Sequence, residues 1–281
     1  MTLVVLSFYQ ARPLLQAWLR GEVQAQTSLD LGLTSCSVQL DKDGVQLPDG
    51  EMVSWEAVEE ICGMETSCFK LGSGELHRIQ AYSEQFERLY SLMPTSLAPT
   101  MLVSGIPMHR IKDTDPYHDT REKIRSVKPV VGHVLDTATG LGYTAIEAAK
   151  TAEAVITIEL DEAALEVARQ NPWSQALFED PKIQQCLGDS FDVVEDFKAG
   201  SFTRIIHDPP AFSLAGDLYS GEFYQRLYRL LRNGGRLFHY VGDPESKSGR
   251  SITSGVVRRL QQAGFREVRK APRAYGVTAM K

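Results

Sequence analysis

Val134-Leu135-Asp136-Thr137-Ala138-Thr139-Gly140-Leu141-Gly142-Tyr143-Thr144-Ala145 is the stretch on which the fold turns. An apolar run beginning at Val130 leads into it, and a helix-periodic run over Thr144–Thr151 leads out. The chain therefore passes from a strand to a helix through a loop with two glycines. Glycine lets the backbone turn sharply and approach a ligand closely, which is what a nucleotide-binding loop needs. Glu159 lies 19 residues after Gly140, at the end of Val155-Ile156-Thr157-Ile158-Glu159-Leu160-Asp161. An acidic side chain there is placed to accept hydrogen bonds from ribose hydroxyls.

Short apolar strands are expected at Val130–Leu135, Ala154–Leu160, Ile183–Leu187, Arg204–His207 and Gly235–Val241. Helices are expected at Thr144–Thr151, Glu162–Gln170, Gly221–Leu231 and Ile252–Ala263. That alternation is the signature of a parallel sheet. Gly264–Val268 and Tyr275–Met280 follow as two closing strands with no helix between them, so the sheet should end antiparallel. Toward the N-terminus the pattern changes. Asp41-Lys42-Asp43-Gly44 and Pro48-Asp49-Gly50 read as turns between short strands. Ile79, Tyr82, Phe86, Leu89 and Tyr90, at spacings of three and four, predict a helix over Ile79–Met93. The expected organisation is a small α+β module at residues 1–105 and a Rossmann-like α/β domain at 106–281.

Taken alone, Gly140-x-Gly142-x-x-Ala145 also fits a dinucleotide fingerprint. In that fingerprint, however, the first glycine follows the strand directly, so that a pyrophosphate can sit on the helix N-terminus. Here Asp136 comes first. A carboxylate repels a pyrophosphate but suits a ligand bearing an ammonium group, such as the amine of S-adenosylmethionine.

With its closing antiparallel strands, the segment from Val131 onward resembles the class I S-adenosylmethionine-dependent methyltransferases, and within them a group bearing this Thr-Gly-Leu-Gly-Tyr-Thr loop. The resemblance implies S-adenosyl-L-methionine as cofactor. It implies a first motif at Asp136, Thr137, Ala138, Gly140 and Gly142, with Ala138 standing where glycine is common. Ribose contacts are implied at Glu159 and Leu160, and adenine contacts at Asp189 and Ser190. Asp189 alone reads equally as a turn aspartate.

Arg204-Ile205-Ile206-His207-Asp208-Pro209-Pro210-Ala211-Phe212-Ser213 supplies the candidate reaction centre. Two prolines after an aspartate make a rigid loop at the carboxyl edge of the sheet, where such folds bind substrate. The segment resembles the Asp/Asn-Pro-Pro-Tyr motif of methyltransferases acting on amino nitrogen. That resemblance implies that Asp208 holds the acceptor amine and also lies beside the cofactor. Ala211 occupies the aromatic position and Phe212 follows one later, a departure that speaks against a flipped nucleobase. His207 and His239 read as buried, hydrogen-bonded histidines.

Asp115-Pro116-Tyr117-His118-Asp119 is similar to the Tyr-His-Glu segment of spermidine synthases, which share the fold and use decarboxylated S-adenosylmethionine. This similarity makes Tyr117 and His118 further catalytic candidates. Asp208-Pro209-Pro210 departs from the polyamine-enzyme pattern, which carries a further carboxylate soon after the fourth strand. Methyl transfer to nitrogen is the leading expectation. Aminopropyl transfer and a non-catalytic cofactor-binding role remain open.

Composition narrows the remaining classes. Apolar residues at 43% and charged residues at 23% are ordinary for a globular chain, and no apolar stretch approaches the length of a membrane span. A cytoplasmic location is expected, with no membrane partner. Cys36, Cys62, Cys68 and Cys186 are scattered, so neither a disulfide framework nor a metal site is expected. Residues 1–100 carry 6 Lys/Arg against 13 Asp/Glu, whereas 244–281 carry nine against Glu245 and Glu267. The acidic N-terminal module makes nucleic acid a disfavoured partner, and the basic C-terminal run reads more readily as a solvated helix face. The methyl acceptor, small molecule or macromolecule, is not identified by any of these features.

Overall fold

The computed structural model describes residues 3–72, 75–210, 215–243 and 246–281. The chain forms two compact units. One comprises Met1–Tyr117 with Ala163–Gln175, the other His118–Glu162 with Ala176–Lys281.

The first unit is built from small antiparallel sheets. The strands Gln24–Thr27, Cys36–Asp41, Gly44–Gln46 and Met52–Ser54 pair in sequence order, with Gly44 closing the expected turn at φ +150°. A Cβ at Gly44 would stand 2.2 Å from the Val53 carbonyl oxygen, so only glycine fits. The helices Phe8–Leu19 and Trp55–Gly63 cover the core formed by Leu14, Val38, Leu40, Val45, Val58 and Ile61. Each helix begins at a serine, Ser7 and Ser54, that caps its first turn.

The helix expected over Ile79–Met93 is instead a hairpin, Gln80–Ser83 paired with Arg88–Met93. Its burial has a period of two. Ala81, Ser83, Tyr90 and Leu92 face inward, while Tyr82 and Leu89, opposite one another, stay exposed. The apolar residues spaced by three and four therefore belong to both faces of a ribbon. Glu87 at φ +49° helps close the turn.

The second unit holds a seven-stranded sheet. Its strands are β1 (His133–Asp136), β2 (Ala154–Glu159), β3 (Ile183–Leu187), β4 (Phe202–His207), β5 (Leu231–Tyr240), β6 (Arg266–Ala271) and β7 (Gly276–Met280). The spatial order is β3-β2-β1-β4-β5-β7-β6. The first five strands run parallel, and β7 runs antiparallel to both β5 and β6. This is the expected Rossmann-like α/β fold with its antiparallel close. Gly276 permits that close, because a Cβ there would meet the Phe238 ring at 2.4 Å and the His239 carbonyl at 2.5 Å.

The order places β1 and β4 side by side at the middle of the sheet, with Asp136 opposite Ile206. The residues following β1 and β4 consequently share one carboxyl edge, where α/β sheets bind ligands. Phe202, Ile205, Phe223, Tyr224, Leu227, Leu237 and Val256 form the core beneath it.

Helix α1 (Pro116–Arg125) precedes β1. Arg204 Nε donates to the Val127 carbonyl at 2.7 Å, and Arg236 Nη1 donates to that of Lys128. Two guanidinium groups thus bind carbonyls just past the C-terminal end of α1, where the helix dipole favours positive charge.

Candidate active site

The glycine loop is held by hydrogen bonds from every side. Asp136 ends β1 fully buried, and its Oδ2 accepts from Thr144 Oγ1 at 2.9 Å and Thr157 Oγ1 at 3.1 Å. Its Oδ1 is buried without a hydrogen-bond partner among the described residues. Burial pushes the Asp136 carboxyl up to about 7. The charge of Asp208 adds to the rise, while the two threonine hydroxyls and the Ala138 amide oppose it. Thr137 donates its amide to the Ile206 carbonyl at 3.0 Å, tying the loop to β4. Thr139 is tied to β2, its hydroxyl 2.7 Å from that of Thr157.

Gly140 and Gly142 both adopt left-handed φ, +51° and +77°. A Cβ built at Gly140 meets nothing within 4 Å, so its backbone borders open space; at Gly142 it would press on Leu177 at 2.7 Å. Gly140 donates its amide to Glu159 Oε2 at 2.8 Å, and Leu160 and Asp161 donate theirs to Oε1 at 3.0 and 3.2 Å. Glu159 therefore braces the loop from the end of β2. Burial raises its carboxyl, and these three amides restrain the rise.

Leu160 is exposed at 42% and Leu187 at 55%, an apolar pair at the ends of β2 and β3. Asp189 caps the short helix Ser190–Val193 by accepting from the Phe191 amide at 2.8 Å. Ser190 Oγ donates to the Thr137 carbonyl at 2.6 Å.

Asp208 directly follows β4. Its Oδ2 lies 2.6 Å from Lys123 Nζ, and the same ammonium lies 2.8 Å from Asp119 Oδ2. Burial pushes the Asp208 carboxyl up, and the Lys123 ammonium pulls it back. For Lys123, burial is overcome by the two carboxylates, which hold the amine in its protonated form. Tyr219 Oη donates to the Pro210 carbonyl at 3.0 Å, fixing the backbone two residues after Asp208. Ala211, Phe212 and Ser213, which complete the proline motif in the sequence, lie outside the described residues.

Beneath this edge sit His207 and His239, both fully buried with ring centroids 4.3 Å apart. His207 Nε2 faces the Leu218 carbonyl at 2.9 Å and must carry the proton. Nδ1 then accepts from Thr137 Oγ1 at 2.6 Å. Burial holds His207 down to about 4, so it stays neutral and serves as a structural hub. His239 bonds to Tyr224 Oη at 2.9 Å.

One sheet edge thus brings together Asp136, Thr137, Ala138, Gly140, Gly142, Glu159, Leu160, Asp189, Ser190 and Asp208. Tyr117 belongs to the first unit, where its amide donates to Asp115 Oδ1 at 2.9 Å and its ring packs edge-on against Trp173. His118 is exposed on α1. Sequence reasoning missed Lys123, Thr144, Thr157 and Tyr219. Lys123 had one legible signal, its place four residues after Asp119 on a helix.

These donors fit an adenosyl cofactor carrying an amine. The unpartnered Oδ1 of Asp136 is a buried acceptor for an ammonium, Gly140 opens onto free space, and the leucine pair offers an apolar wall. Among the described residues no group of three or more His, Cys, Asp or Glu side chains could hold a metal ion.

Comparison with known proteins agrees with this architecture. The spermine/spermidine synthase domain matches residues 130–271, about half of the chain. The chain belongs to that family. An uncharacterized protein of Methanocaldococcus jannaschii is 43% identical over 260 residues, covering 90% of this chain and 88% of its own. Putrescine N-methyltransferase 4 of Nicotiana tabacum is 32% identical over 106 residues; the match takes in 36% of this chain and only 28% of that enzyme. A spermidine synthase solved with the transition-state analogue AdoDATO superposes with a TM-score of 0.59 at 22% identity, covering 71% of each chain, a likeness of fold.

Proposed function

We propose that this chain transfers a methyl group from S-adenosylmethionine to an amino nitrogen. The observation that carries the reading is the place of Asp208. It is a part-buried carboxylate at the carboxyl end of β4, paired with Lys123 and adjacent in the sheet to the glycine loop. When bound, S-adenosylmethionine supplies a methyl group activated by its sulfonium charge. Asp136 would hold the cofactor's amine through Oδ1, Glu159 and the Gly140 backbone would receive the ribose, and Leu160 with Ser190 and Asp189 would border the adenine. Asp208 would accept a hydrogen bond from the incoming amine, orient its lone pair, and take up the proton released on transfer. Its burial suits that work, because a carboxyl raised above its usual range is a better base. Pro209 and Pro210 restrict the backbone that follows the carboxylate, and Tyr219 holds the Pro210 carbonyl.

Aminopropyl transfer is the second reading, favoured by the family to which the chain belongs and by the Tyr117-His118-Asp119 segment. The two differ in cofactor, since aminopropyl transfer uses the decarboxylated form. Asp208→Asn tests the role common to both. The substitution should lower turnover of an amine acceptor by about 10²–10⁴-fold while leaving cofactor affinity within a factor of about three. Unchanged turnover would remove Asp208 from the chemistry, whereas absence of turnover in the wild type with the cofactor bound would favour a non-catalytic, cofactor-binding protein.

A further inference from the structure

A buried lysine sits at the reaction centre of the second unit. The Lys123 side chain is 3% exposed, and its Nζ lies 2.8 Å from Asp119 Oδ2, 2.6 Å from Asp208 Oδ2 and 4.7 Å from the centre of the Tyr240 ring. Two carboxylates and an aromatic face are the groups by which proteins bind an alkylammonium ion. Here the chain's own side chain occupies that place. Helix α1 supplies one carboxylate from within the same turn, and the ends of β4 and β5 supply the other carboxylate and the ring. The hold on α1 by Arg204 and Arg236 fixes the helix in register, so the ammonium stays between its partners.

The geometry points to Lys123 as a specificity-determining residue. Its ε-ammonium fills an alkylammonium site formed by Asp119, Asp208 and Tyr240, so the acceptor presents a single amine to Asp208 and finds no seat for a second ammonium on Asp119. This inference rests on the reading of Asp208 as the residue that holds the acceptor amine. The second ammonium of a short diamine gains no carboxylate of its own there, because Lys123 already holds Asp119.

The test is titration calorimetry of n-butylammonium and 1,4-diaminobutane chlorides against the wild type and Lys123→Ala, with sodium chloride matched in ionic strength as control. The wild type should bind the two amines with affinities within about threefold of each other. Lys123→Ala should bind the diamine about tenfold or more tightly than the wild type does. Its thermal midpoint should also rise further on addition of ethylammonium chloride than that of the wild type does. A wild type that prefers the diamine by tenfold or more would overturn the inference, as would a folded Lys123→Ala protein indifferent to all three amines. If Lys123→Ala does not fold, the wild-type comparison decides alone. Binding of neither amine to the wild type would sink the amine-transfer reading itself, whereas a diamine preference would sink only the role of Lys123.

Discussion

Gly142 sits at φ +77° and opens the helix Tyr143–Ala149. A side chain there must adopt a conformation that costs about 1–2 kcal/mol and must push aside the buried Leu177, 2.7 Å from the built Cβ. Gly142→Ala should therefore lower stability by about 1–3 kcal/mol in urea titrations and weaken cofactor binding in calorimetry. A variant as stable as the wild type would show that the loop has more freedom than this geometry allows. The two glycines were legible because their work is done by the backbone, at fixed distance from a strand end. Lys123 was harder to read. Nothing in Lys123 or its neighbours signals burial, and its partner Asp208 lies 85 residues away. Such a pairing exists only after β4 and α1 have been placed, so a local pattern cannot carry it.

At the scale of elements, α1 depends on the two arginines at its C-terminal end. Arg204 is 6% exposed and spends its donors on the Val127 and Thr203 carbonyls. Arg204→Ala would leave those buried carbonyls without their charged donor. The expected loss is about 1.5–3 kcal/mol in stability, measurable by urea titration. The same substitution should lower turnover, because α1 carries Asp119 and Lys123 to Asp208. Loss of stability with unaltered turnover would show that α1 keeps its register by other contacts.

The elements from residue 130 onward were legible because strand and helix periods alternate cleanly there. Each expected strand and helix appears within a few residues of its bounds; β5 and the helix Lys247–Gln262 begin earliest relative to expectation, four and five residues early. The hairpin at Gln80–Met93 was misread for a physical reason. Apolar residues on two faces of a short ribbon can mimic a spacing of three and four, and the pairing that distinguishes them is non-local.

At the scale of the whole molecule, the buried carboxylate of Asp136 couples the cofactor loop to stability. Its folded-state value of about 7 stands above the ordinary value near 4, so the folded chain binds this proton more tightly than the unfolded chain. Stability from this group is therefore fully present below about pH 4 and is lost as pH rises through about 7, by at most about 4 kcal/mol. Asp136→Asn removes the proton and the dependence. Calorimetric scans between pH 4 and 8 should show the wild type losing stability relative to Asp136→Asn across that window; parallel curves would show that the carboxylate ionises normally.

Net charge acts at the same scale. From the formal charge of −6 and the acidic first hundred residues we propose that nucleic acid binds only weakly. Fluorescence anisotropy at physiological salt should detect nothing tighter than the non-specific range, about 10⁻⁴–10⁻⁶ M. A nanomolar complex would redirect the search for the acceptor to RNA.

Methyl transfer and aminopropyl transfer to an amine differ in the mass of the product. The protein would be incubated with a panel of mono- and diamines and either S-adenosylmethionine or its decarboxylated form, and the amines analysed by mass spectrometry. The expected product is an amine heavier by one methyl group with the intact cofactor, lost in Asp208→Asn. An amine heavier by an aminopropyl group, formed only from the decarboxylated cofactor, would contradict methyl transfer and assign the chain to polyamine synthesis.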